Sequence, residues 1–386
     1  MTNIGRRTFL ASAISSLLLG TAIRANPVGI KKSMEEPSFS RLEKRKGRWW
    51  LIQPDNSLFF SLGLNHVDPA SLRYPENIHI WEDKYGNSME RWLKESVQPR
   101  LLDWGFNCLG WSREVITRGL THHRHSRHFT YEEYQWLDMP YCHQLPFAEF
   151  HQWEAETRHP DFFSPVFAEW CDFVAREHCV PLANDSQLIG YFYIDCPTWV
   201  HTRPENEWKG PLFDPERLKT TTGRKELKKM ATQWYRVTHE AIRRYDPHHL
   251  ILGDRYEANE PLPMEVVEAA RPYVDVLSFQ DFRDPVNHLK EWHQQTGMPV
   301  LWADGAKKLS TDNPDIHRND GRWYAEVLSG LRQNPGCVGA HLCGAYLRNK
   351  IRKRGLIDRN NVPDEEMISF IREANQEVQA WVASHR

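Results

Sequence analysis

Four aspartates follow directly on short apolar runs. Asp195 closes Leu188–Ile194, Asp254 comes one glycine after Leu250–Leu252, Asp281 follows Val274–Phe279 and Gln280, and Asp304 closes Pro299–Ala303. Acid–base chemistry needs carboxyl groups in pairs, one protonated and one ionised, and the end of a strand is a rigid place to hold them. Glu257 and Glu260 lie just past the fifth run and are longer reserves, as is Asp281. Arg255 adjoins Asp254, either as an ion pair that orients a ligand or as a structural pair. Asn65, His66, Asn107, Gln280 and His341 bring neutral donors and acceptors to the same kind of position, which suits hydroxyl groups. Trp111, Trp199 and Trp302 adjoin these ends, and their flat faces could stack on a sugar ring or roof a core.

These residues need a scaffold that collects strand ends. The apolar runs at Leu58–Leu64, Gly105–Leu109, Leu188–Ile194, Leu250–Leu252, Val274–Phe279, Pro299–Ala303 and Cys337–Leu342 read as strands, with a less clear one between Tyr131 and Phe147. Between them, helices are predicted over Met89–Trp104, Pro165–Val180, Gly223–Tyr245, Pro263–Ala270, Asn287–Thr296 and Arg322–Asn334. In the helix from Gly223, Leu227, Met230, Trp234, Val237 and Ala241 recur at three- and four-residue steps. Eight strands alternating with helices predict an α/β fold, a (β/α)8 TIM barrel, whose strand ends meet at one mouth. An open doubly wound sheet is the alternative, but no GxGxxG or GxxxxGK[ST] loop follows a strand, so no nucleotide cofactor is expected.

The chain divides into a twin-arginine-type signal peptide over 1–25 (Arg6-Arg7 before the apolar Ala11–Leu19), a linker over 26–47, and one barrel domain over 48–386. The signal implies export to the periplasm or beyond, with no membrane attachment after cleavage. A net charge of −2 gives no basic field for nucleic acid. The seven cysteines contain no CxxC pair and read as buried packing groups. Sixteen Trp, 13 Tyr and 17 Phe make 12% of the chain aromatic, which means a cleft for sugars or a large aromatic core. The loop Thr121–His128 concentrates four His and two Arg; it is solvated, receives an anionic group, or holds a metal, though no carboxylate or Cys stands at ligand spacing. No metal and no cofactor is expected for the chemistry itself. GxSxG and HExxH are absent, which removes serine hydrolases and zincins.

The ordered set Trp49–Gly63, "LLDWGFNCLGWS", "QLIGYFYIDCPTW", "LILGDRY" and "GCVGAHL" resembles the agarase-like and β-galactosidase-like (β/α)8 glycoside hydrolases of the large retaining clan, across roughly residues 48–360. The resemblance implies a glycoside hydrolase acting on a poly- or oligosaccharide, galactan-like or anionic. It places catalytic groups at the fourth and seventh strand ends, where the clan carries glutamates and this chain carries Asp195 and Asp304. By position Asp195 is the general acid, kept protonated by burial among Tyr193, Pro197 and Trp199, and Asp304 the nucleophile or base. Each Asp is one methylene shorter than Glu, so an unchanged backbone would widen the pair by at most about 3 Å, toward the roughly 6.5–9.5 Å of inverting enzymes. A non-catalytic carbohydrate-binding barrel and a uronide lyase are the alternatives.

Overall fold

The computed structural model describes residues 38–385 apart from 118–122, 149–159, 198, 201–213, 313–316 and 349–352. The signal-peptide reading lies outside the described residues. Eight parallel strands close into a barrel: β1 Ser61–Leu64, β2 Cys108–Leu109, β3 Tyr141–Gln144, β4 Leu188–Asp195, β5 Leu250–Glu257, β6 Leu277–Gln280, β7 Val300–Asp304 and β8 Cys337–Leu342. They pair in chain order, with β8 returning to β1 through Gly339↔Ser61 to Leu342↔Leu64. All eight predicted strands are present, the uncertain one being β3.

Alternation along the strands builds two apolar layers. Inward, Cys108, Cys142, Ile189, Phe192, Leu250, Leu252, Val276, Leu301 and Val338 fill the barrel. Outward, Tyr141, Tyr191, Ile251, Leu277, Phe279, Val300 and Trp302 meet the surrounding helices. The helix Thr221–Tyr245 buries the stripe read from the sequence, Leu227, Met230, Trp234, Val237 and Ala241. The helix Glu365–Ala383, absent from the expected set, packs on the helix Gly321–Gln333 and ties down the start of β2: Asn375 Nδ2 donates to the Trp104 carbonyl at 2.9 Å.

The expected linker ends earlier than residue 47. Arg41–Arg45 pairs antiparallel with Arg48–Ile52, which pairs with Leu58–Phe59, and this small sheet brings Leu51 and Phe59 to the inner layer as a plug at the N-terminal end of the barrel. Two basic-rich flanks facing solvent and a tight Lys46-Gly47 turn, both residues at positive φ, make an amphipathic hairpin that polarity alone disguised.

The aromatic surplus is chiefly core. Trp92, Trp104, Trp199, Trp234 and Trp302 are fully or almost fully buried in the outer layer. Trp234 alone meets Phe147, Phe162, Phe167 and Tyr193. All seven cysteines are free and buried. Burial pushes the Cys108 thiol up to about 12, so thiolate chemistry is unavailable there at neutral pH.

Candidate active site

β5 supplies the organising residue. Leu250 and Leu252 point into the barrel, so strict alternation would send Asp254 inward as well. The register instead slips between Ile251 and Gly253 and again between Gly253 and Arg255. Gly253 sits at φ +69, a conformation glycine adopts freely, and a Cβ there would come within 3.0 Å of Val274. This bulge reverses the facing of everything beyond it: Arg255 turns in and Asp254 turns out.

Arg255 is completely buried at the mouth end of the barrel and bridges the two aspartates singled out by position. Its Nη1 lies 3.3 Å from Asp195 Oδ1 and its Nη2 2.8 Å from Asp304 Oδ2. With roughly 2.3 Å between guanidinium nitrogens, those contacts bound the separation of the two near carboxylate oxygens at about 8.4 Å. Asp195 and Asp304 thus share one rim at a spacing open to carboxylate-pair chemistry. The guanidinium rests over Trp111 at 5.0 Å and Phe192 at 5.7 Å from the ring centroids. Trp111 therefore floors the site beneath a cation, with its Nε1 donating to Gln144.

Asp304 is the better-held carboxylate. Asn65 Nδ2 donates to its Oδ1 at 2.7 Å, and His66 Nε2 is 3.6 Å from Oδ2. Asn65 is itself fixed by donating to the Ala303 carbonyl at 2.8 Å and accepting from the Trp111 backbone N–H at 2.8 Å. Burial alone would raise the Asp304 carboxyl, but the Arg255 charge, His66 and Asn65 outweigh it and hold the group well below the ordinary range, so it is ionised. Asp195 accepts from Gln280 Nε2 and lies 3.3 Å from Arg255 Nη1. Tyr193 and Trp199, expected to desolvate Asp195, face the outer helices instead: the Trp199 ring stacks on Tyr235 at 6.2 Å. Asp195 is thus buried beside Arg255 and Gln280 rather than between Tyr193 and Trp199. His66, just beyond β1, at φ 57 and Cys196, just beyond β4, at φ 45 occupy the left-handed region that non-glycine residues rarely adopt.

Glu257 ends β5 on the mouth side of Arg255 and is paired in register with Gln280. It is half-buried, and its Oε1 accepts from Asn259 Nδ2 at 2.9 Å. Burial, with Asp281 and Glu260 adding negative charge, pushes its carboxyl upward despite the Asn259 hydrogen bonds. Burial pushes the neighbouring Cys196 thiol well up, and the Asp195, Glu257 and Asp304 charges add to the rise against that of Arg255. Glu260 lies in the following turn, its N–H donating to the Glu257 carbonyl at 3.2 Å.

Several expected site residues stand elsewhere. Asn107 precedes β2 at the opposite rim, donating to the Phe60 carbonyl at 3.0 Å and accepting from the Leu62 N–H at 2.7 Å; it splices β1 to β2 and lines a separate cavity of about 470 Å³. Strand numbering placed it at an end, but the strand begins there. Asp281 is consumed by its own turn, accepting from the backbone of Arg283 at 2.7 Å and Asp284 at 3.0 Å and from His288 Nδ1 at 2.5 Å. Trp302 faces outward, its Nε1 donating to the Asp281 carbonyl at 3.0 Å. His341 does point inward, one layer below Asn65, 2.9 Å from Ser61 Oγ, in space left because Gly63 has no Cβ. Burial and the Arg255 charge press its imidazole down to about 3, so it is a neutral core group. His66, Asp304 and Cys343 present atoms of metal-ligating type within 4.8 Å of one another, yet the Arg255 guanidinium already touches the carboxylate and would repel a cation.

Asp254 shows the largest displacement from expectation. Buried behind β5, it accepts from Tyr235 OH at 2.6 Å and Trp234 Nε1 at 3.3 Å. Burial raises its carboxyl to about 7, against those hydrogen bonds. A pKa raised above the unfolded value adds stability that is fully present below about 4 and is lost as pH rises toward 7. Asp254→Asn should therefore flatten this part of the stability profile: urea melts of the variant minus those of the wild type should shift in favour of the variant between about pH 4 and 7.5, with KM unchanged for any substrate. A variant whose difference is independent of pH would show that Asp254 titrates normally.

No family model matches the chain. It is 23% identical over 125 residues to β-agarase B of Vibrio sp. (strain JT0107), which is 30% of this chain and 13% of that protein. Among solved structures, an agarase, AgWH50C, superposes with a TM-score of 0.67 at 18% identity, covering 88% of this chain and 63% of that one. The fold is that of the agarases. A β-galacturonidase from Eisenbergiella tayi bound to galacturonate follows with a TM-score of 0.53 at 12% identity, covering 88% of this chain and 54% of that one. The chain spans under two thirds of the length of each of these three proteins.

Proposed function

We propose that this chain is an exported glycoside hydrolase that cleaves O-glycosidic bonds of a poly- or oligosaccharide, an agar-like galactan being the first candidate. The observation that carries it is the pair Asp195 and Asp304 on either side of Arg255 at the mouth of an agarase-like barrel, with Glu257 ending the same strand two residues beyond that arginine. The roles follow from which protonation state each environment favours. Asp304, held ionised by a buried cation, is a weak proton acceptor but a ready anion beside an electron-poor anomeric carbon. It attacks that carbon, the C–O bond to the leaving sugar breaks, and the bonding pair goes to the departing oxygen. Glu257, whose carboxyl is pushed upward, gives its proton to that oxygen. Water then enters, losing a proton to the Glu257 carboxylate as it displaces Asp304, and the configuration is retained. Asp195 positions Arg255 and Gln280. This reverses the inverting outcome that the shortened side chains alone suggest.

The test separates Glu257 from Asp195. With a natural oligosaccharide, Glu257→Gln should lower kcat by about 10²–10⁴, whereas on a nitrophenyl glycoside, whose leaving group needs no proton, the bond-breaking step should be nearly unaffected. Asp195→Asn should depress both substrates alike. The opposite pattern would return the acid role to Asp195, and no turnover of any galactan, pectic or glucuronic oligosaccharide would favour a sugar-binding barrel.

A further inference from the structure

A second pocket opens on the outer side of β3, one strand away from the carboxylates. Inward-facing Gln144 belongs to the active site, donating to the Tyr193 carbonyl at 2.9 Å, while its neighbour His143 faces outward between β3 and the helix Pro165–Leu182. The pocket has a volume of about 450 Å³, within the range of small-molecule sites. Arg113, Arg127, His128, His143 and His178 line it. The three imidazoles form a near-equilateral group with ring centroids 5.1–5.2 Å apart.

Among the described residues the charge in this pocket is positive. Glu177 is the one carboxylate among its described lining residues, and Arg176 Nε holds it at 3.3 Å. Glu133, nearby, is gripped by Arg127 through two contacts of 2.6 and 2.7 Å. The Arg113 charge reaches two of the histidines: desolvation, then His178, then Arg113 lowers His143 far below its usual value, and desolvation, then Arg113, lowers His178 to about 4 against Glu177. A hydrogen-bonded chain runs through two of these rings. Tyr134 OH lies 2.9 Å from His143 Nδ1, and His143 Nε2 lies 2.9 Å from His178 Nδ1. With the tyrosine as donor, each imidazole passes one N–H onward, and His178, which lines the pocket, keeps its Nε2–H as a donor.

We propose that this pocket binds an oxyanion group, the sulfate or carboxylate of an acidic sugar unit. Guanidinium and imidazole N–H groups in a half-enclosed site match three or four anionic oxygens, and a buried positive site gains most from an incoming negative charge. The sugar part of this assignment rests on the carbohydrate reading above; the oxyanion part does not. The facing titratable groups are Tyr131 and Tyr134 from one helix, Glu177 and His178 from another, His143 from β3, and Arg113, Arg127 and His128 from the hairpin after β2. An anion raises the affinity of His143 and His178 for protons, so binding should tighten as pH falls.

The test is calorimetric titration of the full chain with inorganic sulfate, galactose 6-sulfate, galacturonate and neutral galactose, at about pH 7.5 and pH 5.5. Expected are saturable binding of the two acidic sugars, at least about tenfold weaker binding in Arg113→Gln and in His178→Gln, tighter binding at the lower pH, and movement of the His178 ring signals in NMR. Sulfate binding alone, with the acidic sugars silent, would overturn the sugar assignment. Equal affinity in wild type and both folded variants, or silence of every anion, would overturn the pocket. Anion binding in a protein that hydrolyses no glycoside would instead remove the hydrolase reading and leave the pocket standing.

Discussion

Replacing Arg255 with methionine is expected to lower stability by about 3–5 kcal/mol at neutral pH. Arg255 is fully buried between Asp195 and Asp304, with side-chain exposures of 6% and 4%, so its loss leaves two carboxylates in a dry site with no cation. The sign of the pH dependence should also invert. In the wild type the Asp304 carboxyl is held low, so its contribution is present above the ordinary value near 4 and is lost as pH falls. In the variant, burial without the guanidinium raises both carboxyls, and a raised group stabilises only below its unfolded value. Acid therefore protonates them and relieves the defect. Chemical denaturation at about pH 7.5 and pH 4.5 should show a wide gap between variant and wild type at the first and a narrow gap at the second. A deficit below about 1 kcal/mol, or one that ignores pH, would mean the bridge carries little.

Asp304→Ala is expected to reduce hydrolysis by at least about 10³-fold while leaving the fold largely intact. The remaining Asp195 and Arg255 still balance in charge, so this substitution avoids the unpaired burial that Arg255→Met creates. The alanine also frees the volume of a carboxylate next to the anomeric carbon. Azide added to the variant should occupy it, attack in place of Asp304, and give a glycosyl azide of inverted configuration, while the wild type releases a retained sugar as seen by proton NMR. Azide without effect, together with an inverted wild-type product, would make Asp304 a base for water and refute the nucleophile assignment.

Much of the architecture was legible in the residue order. Eight short apolar runs separated by helical periodicity admit few closed arrangements, and the strand ends they mark carry Asp195, Asp304, Gln280, Asn65 and His66 to one rim. These calculations of position survive because the backbone between a strand and its end is short and stiff. What lies one residue beyond an irregularity does not survive. Asp254 and Arg255 are adjacent, and only the bulge at Gly253 decides which of them enters the barrel. A glycine in a strand was the available signal, but the register slip against β4 that accompanies its φ of +69 is visible only once the two strands are paired. Trp302 and Trp199 were placed at the right height and on the wrong face for the same reason, since facing follows from register at the strand ends. Asn107 shows a further limit: a polar residue beside a strand reads alike at either end until the partner strand shows where pairing begins. Residue types and order thus determined that this chain builds a barrel with acids at its mouth. Tertiary packing decided that a buried arginine bridges two of those acids, because the bulge at Gly253 turns Arg255 inward and Asp254 outward.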